Sequence, residues 1–586
     1  MAAKNELISA AKLKTGPDRN RREFFDLAAF LILFGWLGFN WFSTVTHVLR
    51  YYNPLPVSDY WRVIEDLPAF EAGNFSWLWR QHNEHRIMFP EIIFALDQLF
   101  FAGRQILPMV VSFCCYVASV ALLGRVFWRD NDTGVPARLQ TIMLAGIIAG
   151  WPLSTFVLGT PFLLNWTLLQ LAVVLGLVCV SKRTGNSHVV WLMAAITCGI
   201  VATFSCANGL VLWPILLTVA AIRHAPRKCL IALAAAAVGC VALFLVGYQR
   251  PGTPPLGLLK HPIYSIGFVV SYFSMPFGVL RNPAIGFAFG LLSLTAWLVC
   301  FARTLRTRAA GMSDVKLLAF GYFAFLLLTA ALTSLARLDL TDIGFSGAKA
   351  ARYVTLPLLG WAVLLLLAIR ISFGEKSKRF PPRVILVSTA IVVAFMQIRL
   401  GRWLRTNDDY VSHQQWAALS LENGVFDPAL LGSVFPKEAF IARYLPVLRS
   451  HRKSIFSERE SSFPGQQFRS LFPKPGRESE RGGVIRLTPV RGGISVLGWA
   501  ASLGRGGKDT VLFVDKSGMI VGFGQRLCAG TPREFMPIPV PASQTWVGFV
   551  NGQYGTTLFV PYLVDTDSAA ASPIAGDTSI QAPYHN

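Results

Sequence analysis

The densest group of ionisable residues in the sequence follows the first long apolar run. It contains Asp59, directly after Ser58, and a second acidic candidate, Glu84. A carboxylate placed there can act as a general base, taking the proton of a hydroxyl group while its oxygen attacks an electrophile. For Asp59 a structural role is equally open, because Ser58 or Asp59 can N-cap a helix over residues 60–72.

The segment Gln81–Arg86 reads QHNEHR and is richer in polar side chains than its surroundings. His82, Glu84 and His85 could bind a divalent metal ion or hydrogen-bond a sugar. No further ligand set is evident, so sugar binding is favoured and no metal site or cofactor is predicted. The alternative is a solvated loop with internal ion pairs. The substrate-binding residues predicted in this region are Tyr60, His82, Asn83, His85 and Arg86.

A second polar cluster lies between two later apolar runs and includes Arg337, Asp339 and Asp342. Within it, Arg352 could fork two hydrogen bonds to a phosphate. The alternative is that Arg352 snorkels to lipid headgroups while Tyr353 joins the interfacial aromatic belt. Asparagines at the ends of other apolar runs form a third group, for which a tight turn is a sufficient structural explanation. The substrate-binding residues predicted in these groups are Asn165, Asn208, Lys349, Arg352 and Tyr353.

The composition indicates a membrane protein. Hydrophobic residues make up 53% of the chain and charged residues 15%, against about 25% charged in soluble proteins. Repeated apolar runs approach the roughly 20 helical residues that cross a bilayer. The net charge of +22 is concentrated in short loops, which fits the positive-inside rule and argues against a nucleic-acid partner. The predicted transmembrane helices are eleven: 24–48, 106–127, 139–157, 163–181, 189–207, 209–222, 229–248, 284–302, 317–335, 353–371 and 384–400.

The predicted fold class is an all-α polytopic membrane protein with an extracytoplasmic β-rich domain. Residues 1–23 are basic and are placed in the cytoplasm of a bacterium, so an odd number of spans puts the C-terminal region outside the inner membrane. Segments 87–101 and 263–280 are placed on the outer face. The predicted domains are a cytoplasmic segment 1–23, a transmembrane domain 24–400 that includes a first outer loop 49–105, a helical linker 401–480, a β-sandwich-like domain 481–566 and a disordered tail 567–586.

Over residues 24–400 the chain resembles the GT-C superfamily of integral-membrane glycosyltransferases, in particular its uncharacterised bacterial members. The resemblance implies an inverting enzyme that takes a sugar from a polyprenyl-phosphate donor on the outer leaflet and passes it to an envelope glycan or lipid. It also implies that Asp59 is the base and that Arg352 neutralises the departing lipid phosphate. The motifs that carry the resemblance are SDYW (Ser58–Trp61), QHNEHR (Gln81–Arg86), FSCANG (Phe204–Gly209) and ARY (Ala351–Tyr353).

The tandem acidic pair of some branches of that superfamily is missing at Asp59, which leaves Glu84 or the pair Glu65–Asp66 as rival bases. Two other functions stay open. A flippase or transporter of a lipid-linked glycan would do no chemistry, and an O-antigen-type polymerase or ligase would use a larger donor. No clear internal repeat of the transporter kind is found, and no nucleotide-binding motif is present, so the enzyme is favoured.

Overall fold

The computed structural model separates into two compact units. The helical unit comprises Met1–Arg50, Leu78–Pro90 and Met109–Leu400, and the C-terminal unit comprises Tyr51–Trp77, Glu91–Pro108 and Gly401–Asn586. The residues that the structure describes are 17–50, 52–129, 134–182, 188–249, 261–278, 282–305, 312–338, 345–374, 381–475, 480–503, 510–526, 544–554, 558–566 and 569–575.

Apolar runs form most of the helices, and proline frequently stands in their first turn, where its missing N–H costs nothing. Pro136 and Pro382 are examples. In chain order the helices are α1 (Pro17–Arg50), α2 (Trp61–Glu71), α3 (Met88–Phe100), α4 (Ile106–Trp128), α5 (Val135–Ala149), α6 (Thr155–Gly159), α7 (Leu164–Ser181), α8 (His188–Thr203), α9 (Leu212–Ile222), α10 (Arg227–Leu245), α11 (Pro262–Phe273), α12 (Pro283–Leu305), α13 (Asp314–Arg337), α14 (Thr355–Gly374), α15 (Pro382–Arg399), α16 (Gly401–Glu422), α17 (Pro428–Leu431), α18 (Glu438–Ser450) and α19 (Phe468–Leu471).

Nine helical segments among the described residues are long and apolar enough to cross a membrane. They support the prediction of a multi-pass membrane protein. The predicted number of eleven spans is too high by this criterion, because 189–207 and 209–222 correspond to the shorter helices α8 and α9. A turn over residues 204–211 interrupts that apolar stretch. The nine segments contain α1, α4, α5 with α6, α7, α10, α12, α13, α14 and α15.

Two predicted outer-face segments also form helices. The segment 263–280 contains α11, and 87–101 contains α3. Helix α3 is amphipathic, because Asp97 is fully buried while Leu99 and Phe100 are exposed. The carboxylate of Asp97 accepts hydrogen bonds from the backbone N–H groups of Gln105 (2.7 Å) and Leu107 (2.9 Å). Asp97 therefore fixes the turn that follows α3.

In the C-terminal unit, α18 packs against α2. The hydroxyl of Tyr444 donates to Glu65 Oε1 at 3.0 Å, and His451 Nε2 lies 2.8 Å from Glu71 Oε2. The segment that carries Asp59 leads directly into α2. Contacts with the C-terminal region therefore hold this segment.

The last part of the chain forms one eight-stranded sheet that closes on itself. Strand β8 pairs with β7 along one edge and with β1 and β2 along the other. The predicted β-sandwich is therefore wrong, and the domain is barrel-like. The strands are β1 (Lys474–Pro475), β2 (Glu480–Val490), β3 (Gly493–Ala500), β4 (Thr510–Asp515), β5 (Ile520–Arg526), β6 (Thr545–Asn551), β7 (Phe559–Asp565) and β8 (Ala570–Ala575).

The closing strand β8 falls in the segment 567–586, which was predicted to be a disordered tail. That prediction is wrong for Ala570–Ala575, because paired backbone groups order a strand whose side chains are small and carry little apolar signal. Residues 576–586 lie outside the described part of the chain. The strands enclose a core centred on Trp546 and Phe513, whose ring centroids are 5.6 Å apart.

Asn423, directly after α16, joins that helix to the barrel. Asn423 Oδ1 accepts from Phe523 N at 2.8 Å, and its Nδ2 donates to Phe523 O at 3.1 Å. Asn551 Nδ2 in turn donates to Asn423 O at 2.9 Å. These buried hydrogen bonds join strands β5 and β6 to the helical part of the C-terminal unit.

The predicted domain boundaries need two corrections. The first outer loop, 49–105, was assigned to the transmembrane domain 24–400, but residues 51–77 and 91–105 belong to the C-terminal unit, and residues 49–50 and 78–90 belong to the helical unit. Hydrogen bonds of the loop to residues 434–458 account for this division. In the predicted cytoplasmic segment 1–23, residues 17–22 already belong to α1, and residues 1–16 lie outside the described chain.

Candidate functional site

The segment Gln81–Arg86 forms a tight hairpin in the helical unit. The N–H of His82 donates to the carbonyl oxygen of His85, and the N–H of His85 donates to the carbonyl oxygen of His82. Both distances are 2.8 Å. Asn83 in the turn has φ 50°, a left-handed conformation that asparagine adopts more readily than most residues. The hairpin therefore places His82 and His85 opposite each other, with Glu84 in the turn.

Arg86 anchors this hairpin to the end of α10. Its Nε donates to Phe244 O at 2.8 Å, and its two other nitrogens donate to Trp79 O and Val246 O. The last carbonyls of a helix lack partners within the helix, so a buried guanidinium satisfies them. The structure thus gives Arg86 a structural role, and its predicted contact with substrate stays a prediction.

Glu84 is held between a cation and an imidazole. Its Oε1 lies 2.8 Å from Arg337 NH2, at the end of α13, and 3.6 Å from His85 Nε2. Burial alone would raise the pKa of Glu84, but the positive charges of His85, when protonated, and of Arg337 lower it below its usual value. Glu84 is therefore an ionised carboxylate at neutral pH.

His85 is neutral at pH 7. Burial lowers its pKa to about 4, and the charges of His82, Arg337 and Arg352 act in the same direction against the opposing effect of Glu84. Its Nδ1 accepts from the N–H of Ala207 at 3.2 Å, so the ring proton is on Nε2, which faces Glu84. The side chain consequently joins the hairpin to the turn that follows α8.

The turn Phe204–Val211 connects α8 and α9 and contains the predicted residue Asn208. Cys206 Sγ lies 3.9 Å from His85 Nδ1 and 3.7 Å from Asn208 Oδ1. Gly209 is packed so closely that an added Cβ would lie 2.0 Å from the carbonyl oxygen of Ala202. The predicted tight turn at Asn208 is thus present, and the same turn contacts the QHNEHR hairpin.

Aromatic side chains surround the ARY turn, Ala351–Tyr353. The guanidinium carbon of Arg352 lies 5.2 Å from the centroid of the Tyr353 ring, a cation–π distance. The Tyr353 ring in turn meets Trp166 edge-on at 5.1 Å and Tyr272 at 5.5 Å. The ring of His82 lies 5.0 Å from that of Phe162, in the turn that leads into α7 and Trp166, so the hairpin and this aromatic group border the same end of α7.

Several buried polar atoms at this site have no hydrogen-bond partner within the described residues. One of these atoms belongs to Tyr272, whose phenol interacts electrostatically with Tyr353 and Cys206. Another belongs to Asn165, which lies in the first turn of α7 beside Trp166. The atoms are Asn165 Oδ1, Ser205 Oγ, Asn208 Nδ2, the Tyr272 hydroxyl and Arg352 Nε.

Asp59 and Tyr60 belong to the C-terminal unit. They lie in the short turn Ser58–Tyr60, whose N-cap residue is Val57, while the N-cap residue of α2 is Tyr60. Neither Ser58 nor Asp59 therefore occupies the position that the capping alternative requires. Ser58 has φ 53° and donates its N–H to Val434 O at 2.7 Å. Holding a residue other than glycine in this left-handed conformation strains the backbone, and such strain is frequent at functional sites.

Tyr60 is fully enclosed, with its ring 5.1 Å from that of Phe94. Burial, followed by the charge of Asp97, raises the pKa of Tyr60 well above its usual value. The side chain is thus a neutral phenol. Its substrate role and the base role of Asp59 both stay predictions.

Three further expectations concern residues around the site. Lys349 ends the turn Ser346–Lys349 on the chain segment that leads to Arg352, and its substrate role stays a prediction. Asp339 and Asp342 lie outside the described residues. No three His, Cys, Asp or Glu side chains in the described chain are grouped closely enough to hold a metal ion, and the expectation of no cofactor stays a prediction.

Sequence reasoning missed Tyr272 and Cys206 as parts of this site. Tyr272 lies in α11, an apolar segment that was assigned only to the outer face. The available signal was its neighbourhood, since Ser271 and Ser274 flank it within the apolar run. Sequence reasoning did select the hairpin, the FSCANG turn and the ARY turn, and the structure brings these three segments together.

No protein family, no curated protein and no solved structure matches this chain. The class of this protein is therefore defined from its fold and its candidate site alone. The protein is a multi-pass helical membrane protein with a C-terminal barrel-like β domain, and its helical unit contains a buried polar and aromatic site between the ends of several helices.

Proposed function

We propose that this protein is a membrane glycosyltransferase of the GT-C kind. It takes a sugar from a polyprenyl-phosphate donor and passes it to a hydroxyl group of an envelope glycan or lipid. The reaction takes place on the extracytoplasmic face of a bacterial inner membrane. The observation that carries this proposal is Arg352, whose Nε lacks a protein partner among the described residues and whose guanidinium lies over an aromatic side chain of the site.

The charges of the site suit a phosphate leaving group. Arg337 and Arg352 contribute two positive charges, and Glu84 compensates one of them through Arg337. His85 is neutral, so it neither adds to nor cancels the remaining charge. A surplus cation at a half-buried position such as that of Arg352 stabilises negative charge that develops on a phosphate more strongly than it would in water.

The proposed step forms one bond and breaks one. The acceptor oxygen attacks the anomeric carbon, and the bond from that carbon to the phosphate oxygen breaks. The electron pair stays on the polyprenyl phosphate, and the hydroxyl proton passes to a carboxylate. We assign this base role to Asp59, because the ion pair with Arg337 lowers the basicity of Glu84.

Transfer of labelled sugar from a panel of polyprenyl-phosphate donors by the purified full-length protein tests the proposal. Asp59→Asn is expected to reduce kcat by about 100-fold or more, since general-base catalysis contributes on the order of 10² to 10⁴ in rate. Glu71→Gln serves as the matched control, because Glu71 is a carboxylate of the same unit that is paired with His451.

Undiminished transfer by Asp59→Asn would remove Asp59 as the base, and loss in Glu84→Gln or Glu65→Gln alone would reassign it. Absence of transfer by the wild type, combined with equal movement of lipid-linked glycans across vesicles by wild type and Asp59→Asn, would replace the enzyme with a flippase.

A further inference from the structure

Four of the unpartnered atoms at the site are electrically neutral. They belong to two amides and two hydroxyls: Asn165, Ser205, Asn208 and Tyr272. All four residues are more than nine-tenths buried, with exposures of 4%, 0%, 8% and 0%. The ring contacts of Trp166 with Tyr353 and of Tyr353 with Tyr272 connect α7, at the residue next to Asn165, to α11.

Such an arrangement is costly in a protein without a ligand. A buried donor or acceptor left unpaired costs about 1–3 kcal/mol, and most buried polar side chains in folded proteins have a partner. Here two of the four groups, Ser205 and Asn208, share one turn, and the other two lie beside or on the connected rings of Trp166, Tyr353 and Tyr272. A ligand that carries several hydroxyl groups would satisfy these groups.

The unpaired atoms complement a sugar ring in detail. The Asn165 oxygen accepts, the Asn208 nitrogen donates, and the hydroxyls of Ser205 and Tyr272 can do either. A sugar hydroxyl also donates and accepts. The rings of Trp166 and Tyr353 offer apolar surfaces for the C–H groups of a sugar. None of the four polar groups carries a charge that would pair with a uronic acid or an amino sugar.

We propose that Asn165, Ser205, Asn208 and Tyr272 form a subsite for a neutral sugar ring, walled by Trp166 and Tyr353. This inference rests on the proposed function, because the ring would be the one attached to the polyprenyl phosphate. It adds the chemical class of that sugar and assigns Ser205 and Tyr272 to its recognition.

The subsite has a thermodynamic signature that a structural role lacks. Ser205→Ala and Tyr272→Phe each remove only an unpartnered hydroxyl, so the free protein should keep or raise its Tm. The same changes should weaken binding of a polyprenyl-phosphoryl hexose by about tenfold each, the equivalent of one lost hydrogen bond. Binding of polyprenyl phosphate without a sugar should stay unchanged.

Two control variants separate this effect from general perturbation. Ser293→Ala removes another buried, unpartnered hydroxyl, in α12, and should leave hexose binding unchanged. Tyr116→Phe removes a hydroxyl that donates to Ala149 O at 2.8 Å, so it should lower the Tm without changing affinity. Calorimetric titration of the full-length protein in nanodiscs measures binding, and thermal unfolding of the same samples measures the Tm.

The probes are polyprenyl phosphates carrying glucose, mannose, galactose or glucuronic acid, and polyprenyl phosphate alone. At least one neutral hexose should bind more tightly than the bare phosphate and than the glucuronate. The proposal is overturned if no neutral hexose does so, or if Ser205→Ala and Tyr272→Phe bind it as well as the wild type. In the latter case the four groups hold water only.

Binding and transfer are separate readouts. Loss of hexose affinity in both variants, in a protein that transfers no sugar, would support the subsite and reject the glycosyltransferase proposal. Sugar transfer by the wild type, with unchanged hexose affinity in both variants, would support the glycosyltransferase proposal and reject the subsite.

Discussion

His85 shows how one buried side chain can join two motifs that lie about 120 residues apart in the chain. Its Nδ1 accepts a backbone N–H of the FSCANG turn, while its Nε2 faces the carboxylate of Glu84. Only the neutral ring can accept at Nδ1. Protonation would both remove this bond and place a buried charge close to Arg337 and Arg352.

This geometry predicts a pH dependence of stability. The pKa of His85 is about 4 in the folded protein and about 6.5 when unfolded, so below pH 6.5 the unfolded chain binds the proton more readily. Stability due to His85 is therefore complete above pH 6.5 and is lost as the pH falls towards 4. At pH 5 the loss should be about 2 kcal/mol.

The measurement is the Tm of the full-length protein between pH 4.5 and 7.5, compared with His85→Asn. Asparagine places an amide oxygen near the position of Nδ1 and does not titrate. The difference in Tm between the two proteins should therefore change in favour of His85→Asn as the pH falls below 6.5. A constant difference across this range would show that His85 is not held neutral.

At the scale of elements, the turn between α8 and α9 fixes the position of Asn208 and of the N–H that binds His85. Gly209 makes this turn possible, because its Cα lies against the backbone of Ala202.

Gly209→Ala should therefore be more harmful than its small size suggests. A Cβ would stand 2.0 Å from Ala202 O, so the backbone must shift. We expect destabilisation by about 2 kcal/mol or more and a fall in hexose affinity of at least tenfold, measured by thermal unfolding and by the titration described above.

Gly239→Ala is the matched control, since nothing lies within 4 Å of a Cβ at that position in α10. There, alanine should be neutral or stabilising by up to about 1 kcal/mol. Equal behaviour of the two variants would show that the turn tolerates the added methyl group.

At the scale of the whole molecule, the C-terminal region is an integral part of the fold around Asp59. Besides the contacts of α18 with α2, Ser454 Oγ donates to Pro54 O at 2.6 Å and its N–H donates to Ala102 O at 2.8 Å. Arg104 and Glu458 form an ion pair at 2.6 Å. Both halves of the first loop are thus bound to residues 434–458.

Removal of this region should release the loop. A chain that ends at residue 400 should still insert into the membrane, but its residues 52–77 should become sensitive to limited proteolysis by proteinase K. A chain that ends at residue 479 loses most of the barrel but keeps α16–α18, and we expect its loop to stay protected. If both truncated chains are cleaved alike, the barrel is needed to hold α18 in place.

The sequence predicted the helical class, the position of most helices and most of the strands, because apolar periodicity and length are local signals. It also selected the polar segments that meet in the helical unit. It could not find β8 or Tyr272, whose roles depend on partners far away in the chain. For the same reason it could not find what holds the segment of Asp59, since the bond from Ser58 to Val434 joins residues that no local pattern relates.

The short lengths of α8 and α9 have a consequence for where a sugar would be recognised. At 1.5 Å per residue, the 16 residues of α8 rise about 24 Å and the 11 residues of α9 about 16 Å, whereas the hydrocarbon layer is about 30 Å thick. A hairpin of these helices that enters from one surface ends before it reaches the other. Ser205 and Asn208 then lie below the lipid headgroups of that second surface. To reach them, a donor sugar would have to move towards the acyl chains, and the water that hydrates it would locally thin the membrane.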